Sequence, residues 1–196
     1  ETAHVGWCYL KAFSLILPAI PPGTALQLSN GTTVRYAQLF KCEQVLRSDC
    51  NRGVSGIDGS TSTAAGAACV GEEMTVLITG DMSFSYDVNG LSSTYLSPRF
   101  KIIVMCNGGG GIFRFIKPTS DLPELETCFE IHRDISVEKY ADLFGLRYFE
   151  LNDEKSAAEV LSLFFAEKDR PAILAVHTPN VYNAEVLRGY FRRSRQ

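Results

Sequence analysis

The sequence predicts an α/β fold of three layers, in which a mainly parallel β-sheet carries helices on both faces. Three observations support it. Short apolar runs alternate with segments of helical period, the signature of βαβ units. Two of those runs, Met74 to Thr79 (MTVLIT) and Lys101 to Met105 (KIIVM), are apolar nearly throughout, as strands covered on both faces are. Each is followed at once by a glycine-containing polar stretch, TGDMS and CNGGGG, and ligands of parallel sheets bind beyond the carboxyl ends of strands.

The elements follow in order. Trp7 to Leu17 has apolar residues at helical spacing and is expected to end at Pro18, before the PAIPPG punctuation. Ala25 to Leu28 (ALQL) reads as a strand and Val34 to Phe40 as a helix. Cys50 to Gly59 (CNRGVSGIDG) is a glycine-punctuated loop, and Ser60 to Ala68 is a helix of very small residues. After MTVLIT, Asp81 or Ser83 is suited to cap a helix running through Tyr86 to Tyr95. After KIIVM, residues from about Arg114 to Asp134 lack a clear period and form a long connection, of the kind that is usually functional. Val137 to Phe144 is helical and stops at Gly145; Arg147 to Glu150 is a short strand; Lys155 to Phe165 is a helix. Pro171 to His177 is a last buried strand, and Ala184 to Arg193 a closing helix. No internal repeat or low-complexity linker interrupts the chain, so residues 1–196 are expected to form a single domain.

Composition narrows the function classes. Hydrophobic residues make up 45% and charged residues 21%, enough apolar material for a real core. A formal charge of −3 gives no electrostatic case for nucleic acid or an anionic membrane. The basic cluster Arg188 to Gln196 reads as the solvated face of a terminal helix. No apolar run approaches the ~20 residues that span a bilayer, and the first segment lacks the features of a signal peptide. The six cysteines form no CxxC pair and the three histidines are scattered, so reduced thiols in a cytoplasmic protein are expected, without a zinc site. The chain begins with Glu1 rather than Met, which suggests a piece of a longer protein.

The two strand ends are where chemistry is expected. Asp81 leaves the first strand and Asn107 the second, 26 positions later, room for one helix and one strand. Neighbouring parallel strands bring both side chains to one edge. A carboxylate and an amide carbonyl are hard oxygen ligands suited to Mg²⁺, which usually keeps phosphate oxygens in its shell. The glycines Gly108 to Gly111 let backbone pass close to a bulky anion and aim carbonyls and N–H groups at it. Ser83 is placed to add a hydroxyl to the same phosphate. Other phosphate loops fit less well: there is no GxxxxGK[ST], GxGxxG fails at Phe113, and the series Gly53, Gly56, Gly59 has the wrong spacing.

These residues resemble a known family. A GD dipeptide followed about two dozen residues later by Asn at a strand end is similar to the diphosphate–magnesium motif of thiamine diphosphate enzymes. More specifically, NRGVSGIDGSTSTAAG, GDMSFSYDVNGL and NGGGGIF resemble the 2-succinyl-5-enolpyruvyl-6-hydroxy-3-cyclohexene-1-carboxylate synthases of menaquinone biosynthesis. The resemblance runs from SNGTTVRYAQLF to the C-terminus. It implies the C-terminal, diphosphate-binding (PP-type) domain only, with thiamine diphosphate and Mg²⁺ (or Mn²⁺) as cofactors. Asp81, Asn107 and the carbonyl of Gly109 would hold the metal, and Gly80, Met82 and Ser83 would flank the diphosphate. Ile57 would wedge between the cofactor rings. Arg35 and Arg52 would meet substrate carboxylates, with Ile112 and Phe113 lining the substrate pocket.

The reaction so implied is decarboxylation of 2-oxoglutarate and addition of the succinyl-semialdehyde carbanion to isochorismate. The glutamate that assists ylide formation belongs to an N-terminal pyrimidine-binding domain that no segment of this chain resembles, so the chain alone is expected to be inactive. The family implies a homodimer or homotetramer of the full-length protein. Two positions depart from the pattern. Cys106 replaces the first asparagine of the usual pair, before the metal ligand, and Gly31 stands where several relatives have a serine, a contact Thr32 does not obviously replace. Two other readings stay open: another thiamine diphosphate-dependent 2-oxoacid enzyme, of the acetolactate synthase or decarboxylase type, and a non-catalytic Rossmann-like nucleotide-binding or assembly module.

Overall fold

The computed structural model describes residues 4–193. Six strands, β1 (Ala25–Leu28), β2 (Arg47–Cys50), β3 (Thr75–Gly80), β4 (Phe100–Cys106), β5 (Arg147–Leu151) and β6 (Ala172–His177), form one sheet in the order β2-β1-β3-β4-β6-β5. Every pair is parallel. The helices are α1 (Tyr9–Ala19), α2 (Thr32–Ala37), α3 (Ser60–Val70), α4 (Asp81–Tyr86), α5 (Ile112–Phe115), α6 (Val137–Phe144), α7 (Ala157–Ala166) and α8 (Asn180–Arg193).

Strand side chains alternate between two apolar layers, as the pleat requires. Ile103 and Met105 of β4 join the core under α1, α2, α7 and α8. Phe100, Ile102, Val104 and Cys106 join the opposite core, under α3, α4 and α6. The small residues of α3 are explained here, since Ala64, Ala65 and Ala68 form its buried face. Lys101 breaks the apolar run of β4. Its side chain is buried, its ammonium donates to the Glu167 carbonyl at 2.6 Å, and burial pulls its pKa down to about 8.

Three sequence expectations need correction. The sequence marks no strand at β2: Cys50 opens the expected loop and residues 47–49 are assigned to no element. The β2 residues RSDC are mostly exposed at the sheet edge, and an exposed polar edge strand carries no apolar signal. The helix after β3 begins at Asp81 and ends at Tyr86, followed by a short 3₁₀ turn, Val88–Ser92, instead of continuing to Tyr95. The last helix starts at Asn180, and its Arg188 is not purely solvated, because its guanidinium donates to the Arg114 carbonyl. Residues 194–196 of the basic cluster lie outside the described residues. The long connection does lack a regular long element and holds only short turns, Thr119–Asp121 and Leu125–Glu130.

Register positions the site. Leu28, Ile78 and Ile103 lie side by side across β1, β3 and β4. Asn30, Asp81 and Asn107 follow them within four residues, so all three emerge at one edge of the sheet. The chain leaves β1 toward β2 on one side and returns to β3 on the other. Strand order therefore reverses between β1 and β3, the topological position at which α/β sheets open a crevice.

Candidate cofactor and metal site

Asp81 is buried, and its carboxylate gathers the glycine loop. One oxygen accepts from the backbone N–H of Asn107 (3.0 Å) and Gly108 (2.7 Å), and the other from Met82 N–H (2.7 Å). Burial raises its pKa, and these backbone N–H bonds oppose the rise. Among the described residues no Lys, Arg or His pairs with it. A buried carboxylate without a cationic partner suits a metal ion.

The loop after β4 is held on both sides. Gly110 N–H donates to the Glu130 carbonyl and Arg133 N–H to the Gly108 carbonyl, each at 2.9 Å. Gly109 has φ +158°, and a Cβ there would lie 2.7 Å from the Glu130 carbonyl oxygen. The absence of a side chain is what allows the loop to pack against residue 130. The Gly109 carbonyl accepts from Gly111 N–H at 2.9 Å and keeps a second lone pair. An amide oxygen, a carboxylate and a backbone carbonyl thus lie within one short turn of chain and one neighbouring strand end. Among the described residues no cluster of three or more His, Cys, Asp or Glu could hold a metal, so a cation here would complete its shell with phosphate or water oxygens.

A cleft of about 510 Å³ collects the residues to which the family resemblance gives a cofactor, metal or substrate role: Arg35, Arg52, Ile57, Gly80, Asp81, Met82, Ser83, Asn107, Gly109, Ile112 and Phe113. A second, larger cleft of about 890 Å³ shares Asp81 and Asn107 but contains none of the arginines or apolar residues expected around substrate. The smaller cleft is therefore the better candidate. Its apolar wall includes Phe113, whose ring centroid lies 5.6 Å from that of Phe129.

Individual residues behave in ways the sequence did not disclose. The Ser83 hydroxyl donates to the Ile57 carbonyl at 2.5 Å. This bond ties Ile57 to the start of α4, and Ser83 lines the same cleft as Asp81 and Asn107. Arg35 donates to the Gly31 carbonyl at 2.5 Å, and Arg52 to Asn30 Oδ1 at 3.2 Å. Gly31 has φ +94°, where any side chain would be strained, a local reason for glycine in place of serine. Cys106 is buried in the core under α3, α4 and α6, and burial drives its thiol pKa well up. It does not line the smaller cleft.

Asn30 was missed as a site residue. It is buried, donates to the carbonyls of Asn51 and Gly56, and accepts from Arg52. It thereby ties the Cys50–Gly59 loop to the end of β1. The signal existed: Asn30 follows an apolar strand two residues after its end, the same cue that marked Asn107. Tyr9, Glu130 and Asn180 near Asn107 were also missed, and nothing local in the sequence marks them.

Fold and site together define an α/β domain that offers a carboxylate, an amide and a glycine loop at the switch point of a parallel sheet, an arrangement for a diphosphate-bearing cofactor. The chain belongs to the thiamine pyrophosphate enzymes, as their C-terminal TPP-binding domain; the model of that family matches residues 30–176. Its cofactor is thiamine diphosphate. Similar curated proteins named 2-succinyl-5-enolpyruvyl-6-hydroxy-3-cyclohexene-1-carboxylate synthase occur in Porphyromonas gingivalis (47% identical, covering 96% of this chain and 33% of the relative), Flavobacterium johnsoniae (41%, 97% and 34%) and Christiangramia forsetii (40%, 96% and 33%). The chain spans about a third of the length of these relatives. Among the described residues no helix is long and apolar enough to cross a membrane.

Proposed function

We propose that this chain is the diphosphate- and metal-binding part of a 2-succinyl-5-enolpyruvyl-6-hydroxy-3-cyclohexene-1-carboxylate synthase, acting on 2-oxoglutarate and isochorismate in menaquinone biosynthesis. The observation that carries the substrate class is the pair Arg35 and Arg52. Both line the cleft that holds Asp81 and Asn107, and neither has a carboxylate partner among the described residues. Guanidinium groups recognise carboxylates by planar paired hydrogen bonds, and both substrates carry carboxylates.

Thiamine diphosphate, when bound, supplies the electron sink for breaking and making carbon–carbon bonds. In this reading Asp81, Asn107 and the Gly109 carbonyl hold Mg²⁺ or Mn²⁺, with Gly80 and Met82 beside the diphosphate. Ile57, fixed through its carbonyl by Ser83, would press on the bound cofactor. Ile112 and Phe113 form an apolar wall that excludes water, and Arg35 and Arg52 orient substrate carboxylates. The two acids lining the cleft are both engaged: Asp81 by loop N–H groups and Glu130 by Arg114. No carboxylate of this cleft is left to act on the pyrimidine ring. A pyrimidine-binding domain supplies that group, and the active site assembles in a homodimer or homotetramer of the longer cytoplasmic protein. Residues 1–196 are then one domain, inactive alone.

The test is turnover by the full-length protein. Release of CO₂ from 2-oxoglutarate that requires isochorismate, thiamine diphosphate and Mg²⁺ supports the reading. Turnover of pyruvate instead supports a carboligase or decarboxylase of other specificity, and no product under saturating conditions refutes both.

A further inference from the structure

We propose that Asn180 is a positioning residue for the cation site, fixing which end of the Asn107 side-chain amide faces the cation. The proposal rests on the reading of Asn107 as a cation ligand. The two ends of an amide have nearly the same size and shape, so packing alone does not choose between them; hydrogen bonds do.

The choice begins at a charge. The guanidinium of Arg114 grips Glu130 through two bonds, Nε to Oε1 at 2.8 Å and a terminal nitrogen to Oε2 at 2.5 Å. Glu130 is only 4% exposed, and this two-bond grip holds its carboxylate in place with both oxygens serving as acceptors. An ionised carboxylate only accepts hydrogen bonds. Asn180 therefore turns its NH₂ toward Glu130, Nδ2 to Oε1 at 3.0 Å. Its carbonyl oxygen is then left facing Asn107, and Asn107 answers with its own NH₂, Nδ2 to Oδ1 at 2.8 Å. The oxygen of Asn107 is thereby turned the other way, toward the Tyr9 hydroxyl at 3.2 Å. The single proton of that hydroxyl goes to the nearer Met105 carbonyl at 2.8 Å, so Asn107 Oδ1 keeps capacity for a cation.

Donor–acceptor polarity thus passes from Arg114 through Glu130 and Asn180 to Asn107. The residues of this relay come from four separate segments, and Asn180 lies beyond the span matched by the family. Gly111 completes it: a Cβ there would strike Asn107 Nδ2 and would lie 2.6 Å from Asn180 Oδ1. The fourth glycine leaves room for the amide pair, a role distinct from that of Gly109.

The test measures Mn²⁺ affinity of the full-length protein at saturating thiamine diphosphate, by the electron paramagnetic resonance of free Mn²⁺. Four forms are compared: wild type, Asn180→Ala, Asn107→Asp and the double variant. Asn180→Ala is expected to weaken Mn²⁺ binding by about tenfold, the low end for loss of a group supporting a ligand. In the Asn107→Asp background the same change is expected to alter affinity by less than about twofold, because a carboxylate presents oxygen at either end. Asn180→Ser, suited to a helix start, is the second variant if alanine impairs folding, with the same expectation. Unchanged affinity in Asn180→Ala, or an equal loss in both backgrounds, overturns the relay while leaving the cation site standing. A wild type that binds thiamine diphosphate but no Mn²⁺ refutes the cation site, and the relay with it.

Discussion

Asn30→Ala is expected to loosen the Cys50–Gly59 loop and weaken cofactor binding while the sheet stays intact. The Asn30 amide donates to two loop carbonyls, those of Asn51 and Gly56, and accepts from the Arg52 guanidinium at 3.2 Å. A typical internal hydrogen bond contributes about 1 kcal/mol net, and one to a charged group about 1.5–3. Residues 52–56 are exposed, so water recovers part of that loss. The loop should therefore open more easily by roughly 1.5–2 kcal/mol, about a ten- to thirtyfold larger open population. Because Ile57 and Arg52 ride on this loop, thiamine diphosphate affinity of the full-length protein should fall by a similar factor. Limited trypsin cleavage after Arg52 reads the open population directly when reclosing is fast, and a cofactor titration reads the consequence. Asn30→Asp keeps an acceptor for Arg52 but turns a carboxylate oxygen on the two loop carbonyls, so it should open the loop at least as far as Asn30→Ala. Cleavage after Arg52 at the wild-type rate in Asn30→Ala would refute the assignment of Asn30 as the loop's anchor.

Three further outcomes are expected. Asp81→Ala should abolish metal-dependent cofactor binding and lower stability by roughly 1–3 kcal/mol, because buried N–H groups of the glycine loop lose their acceptor; unchanged thiamine diphosphate affinity would exclude Asp81 as a ligand. Gly109→Ala forces a Cβ to 2.7 Å from the Glu130 carbonyl at φ +158°, and urea unfolding should register a loss of roughly 1–3 kcal/mol, a loss absent if the loop can pack elsewhere. Lys101 has its pKa lowered to about 8 by burial. Above that value the folded chain has released a proton that the unfolded chain retains until its ordinary pKa, so stability rises with pH across this window. Wild type should gain on Lys101→Met by roughly 1–3 kcal/mol between pH 8 and about 10.5, and a pH-independent difference between the two would contradict a buried ammonium.

The sequence made the fold legible wherever burial leaves an apolar imprint. ALQL, MTVLIT, KIIVM and PAILAVH all mark strands, the first with its bounds as read and the others within a residue or so. It hid β2, whose RSDC residues lie exposed at the sheet edge. It misplaced the helix after β3, because Asp81 starts that helix while its carboxylate serves the neighbouring strand end, a use no local propensity encodes. In the site, Asp81 and Asn107 stood out because each ends an apolar strand. Arg35, Arg52 and Ile57 emerged only through their motifs, since a lone arginine or isoleucine carries no local signal. Asn180 and Glu130 were invisible, 73 and 23 positions from Asn107, and tertiary packing alone brings them to it.

The measurement closest to the central claim is anomalous X-ray scattering from a crystal of the full-length protein grown with thiamine diphosphate and Mn²⁺. One Mn²⁺ peak is predicted within coordination distance of the Asp81 carboxylate, Asn107 Oδ1 and the Gly109 carbonyl, bridging to the diphosphate in the cleft shared with Arg35 and Arg52. A peak elsewhere, or a diphosphate lodged in the larger cleft, would contradict it.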